Sequence, residues 1–161
     1  MLPLAHIGMT AFLSTLVYLP ASFAVIGALL PDIVDKLLFL PGLSACGRFI
    51  GHSLFFGPIL SLLAYGLTRK KEVALAVLFG SYLHLVQDIR DFMPLFYPIV
   101  KYQFECVPTT IKTGLFEIIT ESLGITLLSI KILFNSKLLH YRDKLWARSK
   151  RYFHGKNQPA N

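Results

Sequence analysis

The stretch "GSYLHLVQD", residues 80–88, lies in one of the most apolar parts of the chain and still carries a histidine and a carboxylate four residues apart. The surrounding run, 73–88, has no period-two alternation and is too long for a typical strand, so it predicts a helix. On a helix, positions i and i+4 share a face, and His84 and Asp88 point the same way. Both are costly near hydrocarbon unless paired or neutralised. The same pattern of long apolar runs recurs at 4–30, 49–67 and 113–134, and the fold class it predicts is all-α.

Composition sets the environment. Of 161 residues, 54% are hydrophobic and only 16% charged, and the mean hydropathy is +0.57. These values exceed those of ordinary soluble domains and predict a membrane-embedded bundle of four to five hydrophobic helices. Met1–Pro31 contains no Asp, Glu, Lys or Arg. It lacks a basic leader and an obvious small-residue cleavage site, so a removable signal peptide is not expected. Pro20 breaks this first run, and 3–18 and 20–30 read as two shorter helices forming a hairpin. A loop, "PDIVDKLLFLPGLSACGRF", then leads to the second run. Residues 91–112 form an aromatic, proline-punctuated connection suited to a membrane interface.

The net charge of +7 is unevenly placed. Arg69, Lys70 and Lys71 form a basic turn, while Lys137, Arg142, Lys144, Arg148, Lys150, Arg151 and Lys156 crowd the C-terminal tail. Beside apolar runs this reads as positive-inside bias and attraction to anionic membrane lipids. The chain thus divides into a membrane-embedded part, 1–134, and a basic cytoplasmic tail, 135–161. The tail lacks interleaved aromatic platforms, so no nucleic-acid partner is expected. Cys46 and Cys106 have no metal-type spacing, and whether they pair stays open.

With that orientation, Asp32, Asp35, Arg48, His52, His84 and Asp88 all fall at the end of their segments away from the basic turn. Glu117 and Glu121 fall there too. Each has an ordinary alternative: Asp32 as a cap or turn residue, Asp35 with Lys36 as a solvated pair, Arg48 reaching to headgroups, His52 with Ser53 as a satisfied core pair. A bound divalent cation would relieve the conflict for all of them at once. Imidazole with carboxylate suits zinc, manganese or iron, and carboxylate alone suits magnesium. A small cation or proton transporter would instead spread polar groups over several depths, with Lys131 the main group off the common level. A structural or regulatory membrane protein would tolerate replacement of the histidines.

The ordered set "AHIGMT", "GALLPDIVDK", "GRFIGHSLFF" and "GSYLHLVQD…MPLFYP" resembles the YdjM family of inner-membrane, metal-dependent hydrolases over about residues 4–100. Relatives often read Leu-Pro-Asp-Ile-Asp-His where this chain has Leu-Pro-Asp-Ile-Val-Asp-Lys. The order is also similar to that of zinc-dependent phospholipase C and the related single-strand nucleases. That likeness implies a phospholipase C-like helical core with metal ligands His6, Asp32, His52, His84, Asp88, Glu117 and Glu121. The soluble enzymes end on His-x-x-x-Glu and carry a further His between the two pairs, so one or two ions are expected here rather than three. The resemblance implies a hydrolase acting on a phosphoester or lipid-linked ester through metal-activated water. Asp32 would serve as base or orient the water, with Asp35 the second acidic position of the motif, Arg48 would clamp an anionic group, and Phe96 and Tyr97 would seat an acyl chain. The hairpin at Pro20 is required if His6 is to reach the others.

Overall fold

The computed structural model describes residues 3–44, 47–102 and 114–155. Cys46 and Cys106 lie outside them. The described residues form five α-helices and one short 3-10 turn, with no strand: α1 (Pro3–Leu16), α2 (Ala21–Phe39), the turn (Ile50–His52), α3 (Phe56–Thr68), α4 (Lys71–Gln87) and α5 (Leu115–Gly155).

The hairpin between α1 and α2 forms as its sequence predicts. Pro20 holds an extended conformation just before α2, which suits a residue that cannot donate to a preceding turn. Tyr18 closes α1 in the left-handed region, φ 64°, and the Leu19 amide reaches back to the Ser14 carbonyl at 2.9 Å. This C-terminal cap usually employs glycine. Tyr18 is held by α5 instead: its hydroxyl donates to the Arg142 carbonyl at 2.9 Å, and the Arg142 guanidinium lies 3.9 Å from its ring centre.

Two elements differ from the expected pattern. The segment after Pro31 is helix rather than loop, because α2 runs through Pro31 to Phe39. Asp32 and Asp35 are therefore helical residues about one turn apart, and neither is a cap. The second apolar run starts as a 3-10 turn, and its α-helix begins only at Phe56. Arg48 thus precedes His52 in irregular backbone, not on a helical turn. The basic tail continues α5, with non-helical dihedrals at Phe134 (φ −119°, ψ 20°) marking a kink.

Small residues set the helix spacing. α2 packs on α4 where a Cβ at Gly27 would meet the Val77 carbonyl and one at Gly80 the Ala24 carbonyl. α1 packs on α5 in the same manner through Gly8 and Gly124. Close backbone approach of this kind is typical of helices that associate in lipid. The Ser81 hydroxyl donates to the Gly27 carbonyl at 3.1 Å across the first of these interfaces.

The distribution of side chains is inverted relative to a soluble domain. The largest fully buried side chains include His6, His52, His84, Thr10, Asp35 and Asp88, while the apolar core is mostly alanine and valine. Leu62 (72% exposed), Leu67 (78%), Ile89 (70%) and Ile132 (69%) cover the outside. Such a surface is far more apolar than water favours and suits contact with lipid. Among the described residues, no helix is long and apolar enough to cross a membrane. α1, α3 and α4 have 14, 13 and 17 residues, against about 20 for a span. Asp32, Asp35 and Lys36 interrupt the second half of α2.

Candidate metal centre

Three segments converge on one point. α2 contributes Asp32 and Asp35, the 3-10 turn contributes His52, and the end of α4 contributes His84 and Asp88. Asp88 caps α4, its amide donating to the His84 carbonyl at 3.0 Å. The helix ends where its last side chains face the cluster.

Asp32, His52, His84 and Asp88 each offer one donor atom, and all four lie within 4.8 Å of one another. The two Nε2 atoms of His52 and His84 are 3.2 Å apart. Asp32 Oδ1 lies 3.6 Å from His52 Nε2 and 3.9 Å from His84 Nε2. Asp88 Oδ2 stands 3.9 and 4.0 Å from the same two nitrogens. Donors about 2.0–2.1 Å from a tetrahedral centre are about 3.4 Å apart. A small contraction of this group would therefore meet zinc-like geometry, and two imidazoles with two carboxylates are an ordinary donor set for zinc, manganese or iron. The residues fit a divalent cation.

Asp35 explains why His52 presents Nε2. Its fully buried carboxylate accepts from His52 Nδ1 at 2.7 Å, from the Phe49 amide at 2.6 Å and from the Gly51 amide at 2.7 Å. A Cβ on Gly51 would run into the Pro31 carbonyl and lie 2.9 Å from the Asp35 carboxyl, so glycine lets the turn close onto α2. Asp35 orients a ligand rather than facing the centre itself, the carboxylate–histidine arrangement that fixes an imidazole for a metal. The expected Asp35–Lys36 surface pair does not form; Lys36 approaches Asp32 at 3.6 Å.

His6 arrives from α1 on the other oxygen of Asp88, with Nε2 3.3 Å from Oδ1. Its ring stacks on His84 at 4.3 Å between centroids. Its Nδ1 pairs with Gln87 Oε1, which turns the buried Nε2 toward Asp88. His6 is thus beside the four-residue group, on the side where a second ion could share Asp88. Gln87 escaped the sequence reading because an amide next to an acidic residue carries no distinctive spacing. Asp91 escaped it too: Arg48 Nη2 donates to Asp88 Oδ2 at 3.0 Å and to Asp91 Oδ2 at 2.8 Å.

The glutamate pair serves other ends. Glu121 accepts from the Leu4 and Ala5 amides at 3.2 and 2.8 Å, where the first amides of α1 need acceptors. Glu117 accepts from the Gly114 amide at 3.0 Å at the start of its own helix. Neither carboxylate belongs to the four-residue group; both accept from backbone amides at helix starts. Phe49 and Tyr97 meet at a tilt, with ring centroids 4.6 Å apart, and Phe96 is exposed.

The protonation pattern follows from the packing. Burial opposes charge on His52, but hydrogen bonds with Asp35 and Asp88 and the nearby carboxylate charges outweigh it and raise its pKa. Burial, reinforced by the adjacent His6 and His52, drives His84 down to about 3. Burial alone would raise Asp88, yet hydrogen bonds with His52 and His6 hold it far below the usual carboxylate range. Asp32 is lowered in the same sense: burial is overcome by the charges of His84, Lys36 and His52. Below its raised pKa and without metal, His52 carries a proton on Nε2, 3.2 Å from Nε2 of neutral His84.

Residues 1–148 match the sequence model of the YdjM inner membrane protein family. No curated protein and no solved structure matches the chain.

Proposed function

We infer that this chain, which belongs to the YdjM inner membrane protein family, is a membrane-associated, metal-dependent hydrolase of phosphoesters or lipid-linked esters. The observation that carries this reading is the convergence of Asp32, His52, His84 and Asp88 inside an otherwise apolar molecule. Buried ionisable groups are expensive, and a site that gathers them without a purpose would be destabilising.

A divalent cation held by these four residues would supply Lewis acidity and lower the pKa of water toward about 7. Zinc suits the donor set best. Asp32 keeps 23% of its side chain exposed while His52, His84 and Asp88 keep 0–1%, so it stands at the open face. Its carboxylate is placed to accept a hydrogen bond from an incoming water and align it for attack. Asp35 keeps His52 in the tautomer that offers Nε2, and Gln87 does the same for His6. Arg48, a third exposed, brings a guanidinium to the rim, where it can pair with an anionic group such as phosphate.

Elemental analysis of purified protein tests the reading. Wild type is expected to hold near-stoichiometric zinc, manganese or iron, and His84→Ala and Asp88→Ala to lose it. Hydrolysis of a panel of phosphomonoesters and phosphodiesters should then depend on the same residues. Folded wild-type protein that takes up no metal after supplementation would sink the hydrolase reading.

A further inference from the structure

The contact between Arg48 and Asp88 has the same target as the proposed ion. Arg48 Nη2 lies 3.0 Å from Asp88 Oδ2, and Oδ2 is the oxygen of Asp88 that faces His52 and His84. The same Nη2 is 2.8 Å from Asp91 Oδ2. Asp88 is almost completely buried, whereas Asp91 keeps 36% of its side chain exposed. One nitrogen therefore bridges a carboxylate inside the cluster and a carboxylate at its rim.

We propose that Arg48 is a built-in counter-ion which a metal displaces, and that its release, with Asp91 as tether, creates the binding group for the substrate's anion. This rests on the metal-centre reading above and adds an order to it. Without metal, the guanidinium neutralises Asp88 and so is itself neutralised; it has little charge left to offer an anion. A divalent cation among the four donors comes within a few ångströms of Nη2, and like charges at that distance repel strongly in a buried site. The lone pairs of Asp88 are also drawn to the ion. Arg48 then shifts its weight to Asp91 at the mouth, where its remaining N–H donors are free. Metal binds first and anion second. The arrangement also protects an empty site, because Asp88 never stands as an uncompensated buried charge.

Arg48 as competitor gives the two partner substitutions opposite signs. Zinc affinity of the full chain in detergent is measured by competition with a chelating dye, with circular dichroism confirming the fold of each variant. Arg48→Met removes the competing cation and is expected to tighten zinc at least about threefold. Asp91→Asn removes the alternative partner, leaves Arg48 on Asp88 alone, and is expected to weaken zinc about threefold or more. Phenylphosphonate, a non-hydrolysable anion, is then titrated by calorimetry. It should bind zinc-loaded wild type, bind zinc-free wild type at least tenfold more weakly, and lose most of its affinity for zinc-loaded Arg48→Met. Weaker zinc in both variants would show that the bridge supports the site instead of competing with the ion, and would overturn the proposal while leaving the metal centre intact. Absence of zinc binding in wild type and both variants would overturn the metal centre and the proposal together. Equal phenylphosphonate affinity in the two zinc-loaded proteins would remove Arg48 from anion binding.

Discussion

His52 carries the pH dependence of the site. Its pKa is raised above the ordinary 6.5, so metal-free protein holds a proton there that an ion must expel. Zinc affinity is therefore expected to rise with pH, by about tenfold per unit at most, and to level off above the raised pKa. His84, at about 3, and the lowered Asp32 and Asp88 are already deprotonated and add no slope. The stability that His52 gives the metal-free fold runs the other way: complete below pH 6.5, lost as pH rises through the raised value. Dye competition between about pH 6 and 9 checks the first trend. Asp35→Asn should leave the chain folded and weaken metal about 10- to 100-fold, as loss of an orienting partner does, and elemental analysis reads it directly. His52, His84, Asp88 and Asp32 were legible in the sequence because a charge in an apolar run needs a reason. The role of Asp35 was not, since its partners are backbone amides of a turn folded against α2, and backbone amides leave no mark on a sequence.

At the scale of elements, glycine contact decides helix spacing. Gly80→Leu would drive a side chain into the Ala24 carbonyl and is expected to cost more than about 4 kcal/mol or prevent folding. Gly66, also helical, has nothing within 4 Å of a built Cβ; Gly66→Ala should stabilise α3 by about 0.5–1 kcal/mol. Thermal unfolding of the two variants in detergent separates the cases. Glu121→Ala, which strips the N-terminus of α1 of its acceptor, is expected to cost about 1 kcal/mol. Pro20 announced the hairpin between α1 and α2. Pro31 announced a break that did not occur: the Gly27 carbonyl, which a proline four residues on leaves without an amide, accepts from the Ser81 hydroxyl instead. The amide contacts of the Glu pair were not legible for a related reason. Two carboxylates one turn apart look like ligands, and only the arrival of α1 beside α5 shows that Glu121 has amides to cap.

Across the whole molecule, the polar interior and apolar exterior make one prediction. Leu62→Asn and Leu67→Asn, both at exposed positions, should shift protein from the membrane fraction to the soluble fraction of a lysate. They should leave metal content unchanged and stability within about 0.5 kcal/mol. Mean hydropathy foretold this apolar exterior, but among the described residues no helix is both long and apolar enough to cross a membrane: α1, α3 and α4 are short, and charged residues interrupt α2 and α5. The capping of α1 by Glu121 also has a bearing on how the protein is made. The carboxylate that secures the helix of His6 follows it by more than a hundred residues in the chain. Until α5 has been synthesised, α1 lacks both that acceptor and the glycine surface it rests on. A chain cut short of α5 would carry every histidine of the centre and still hold His6 loosely, so the site waits on a helix that contributes none of its four donors.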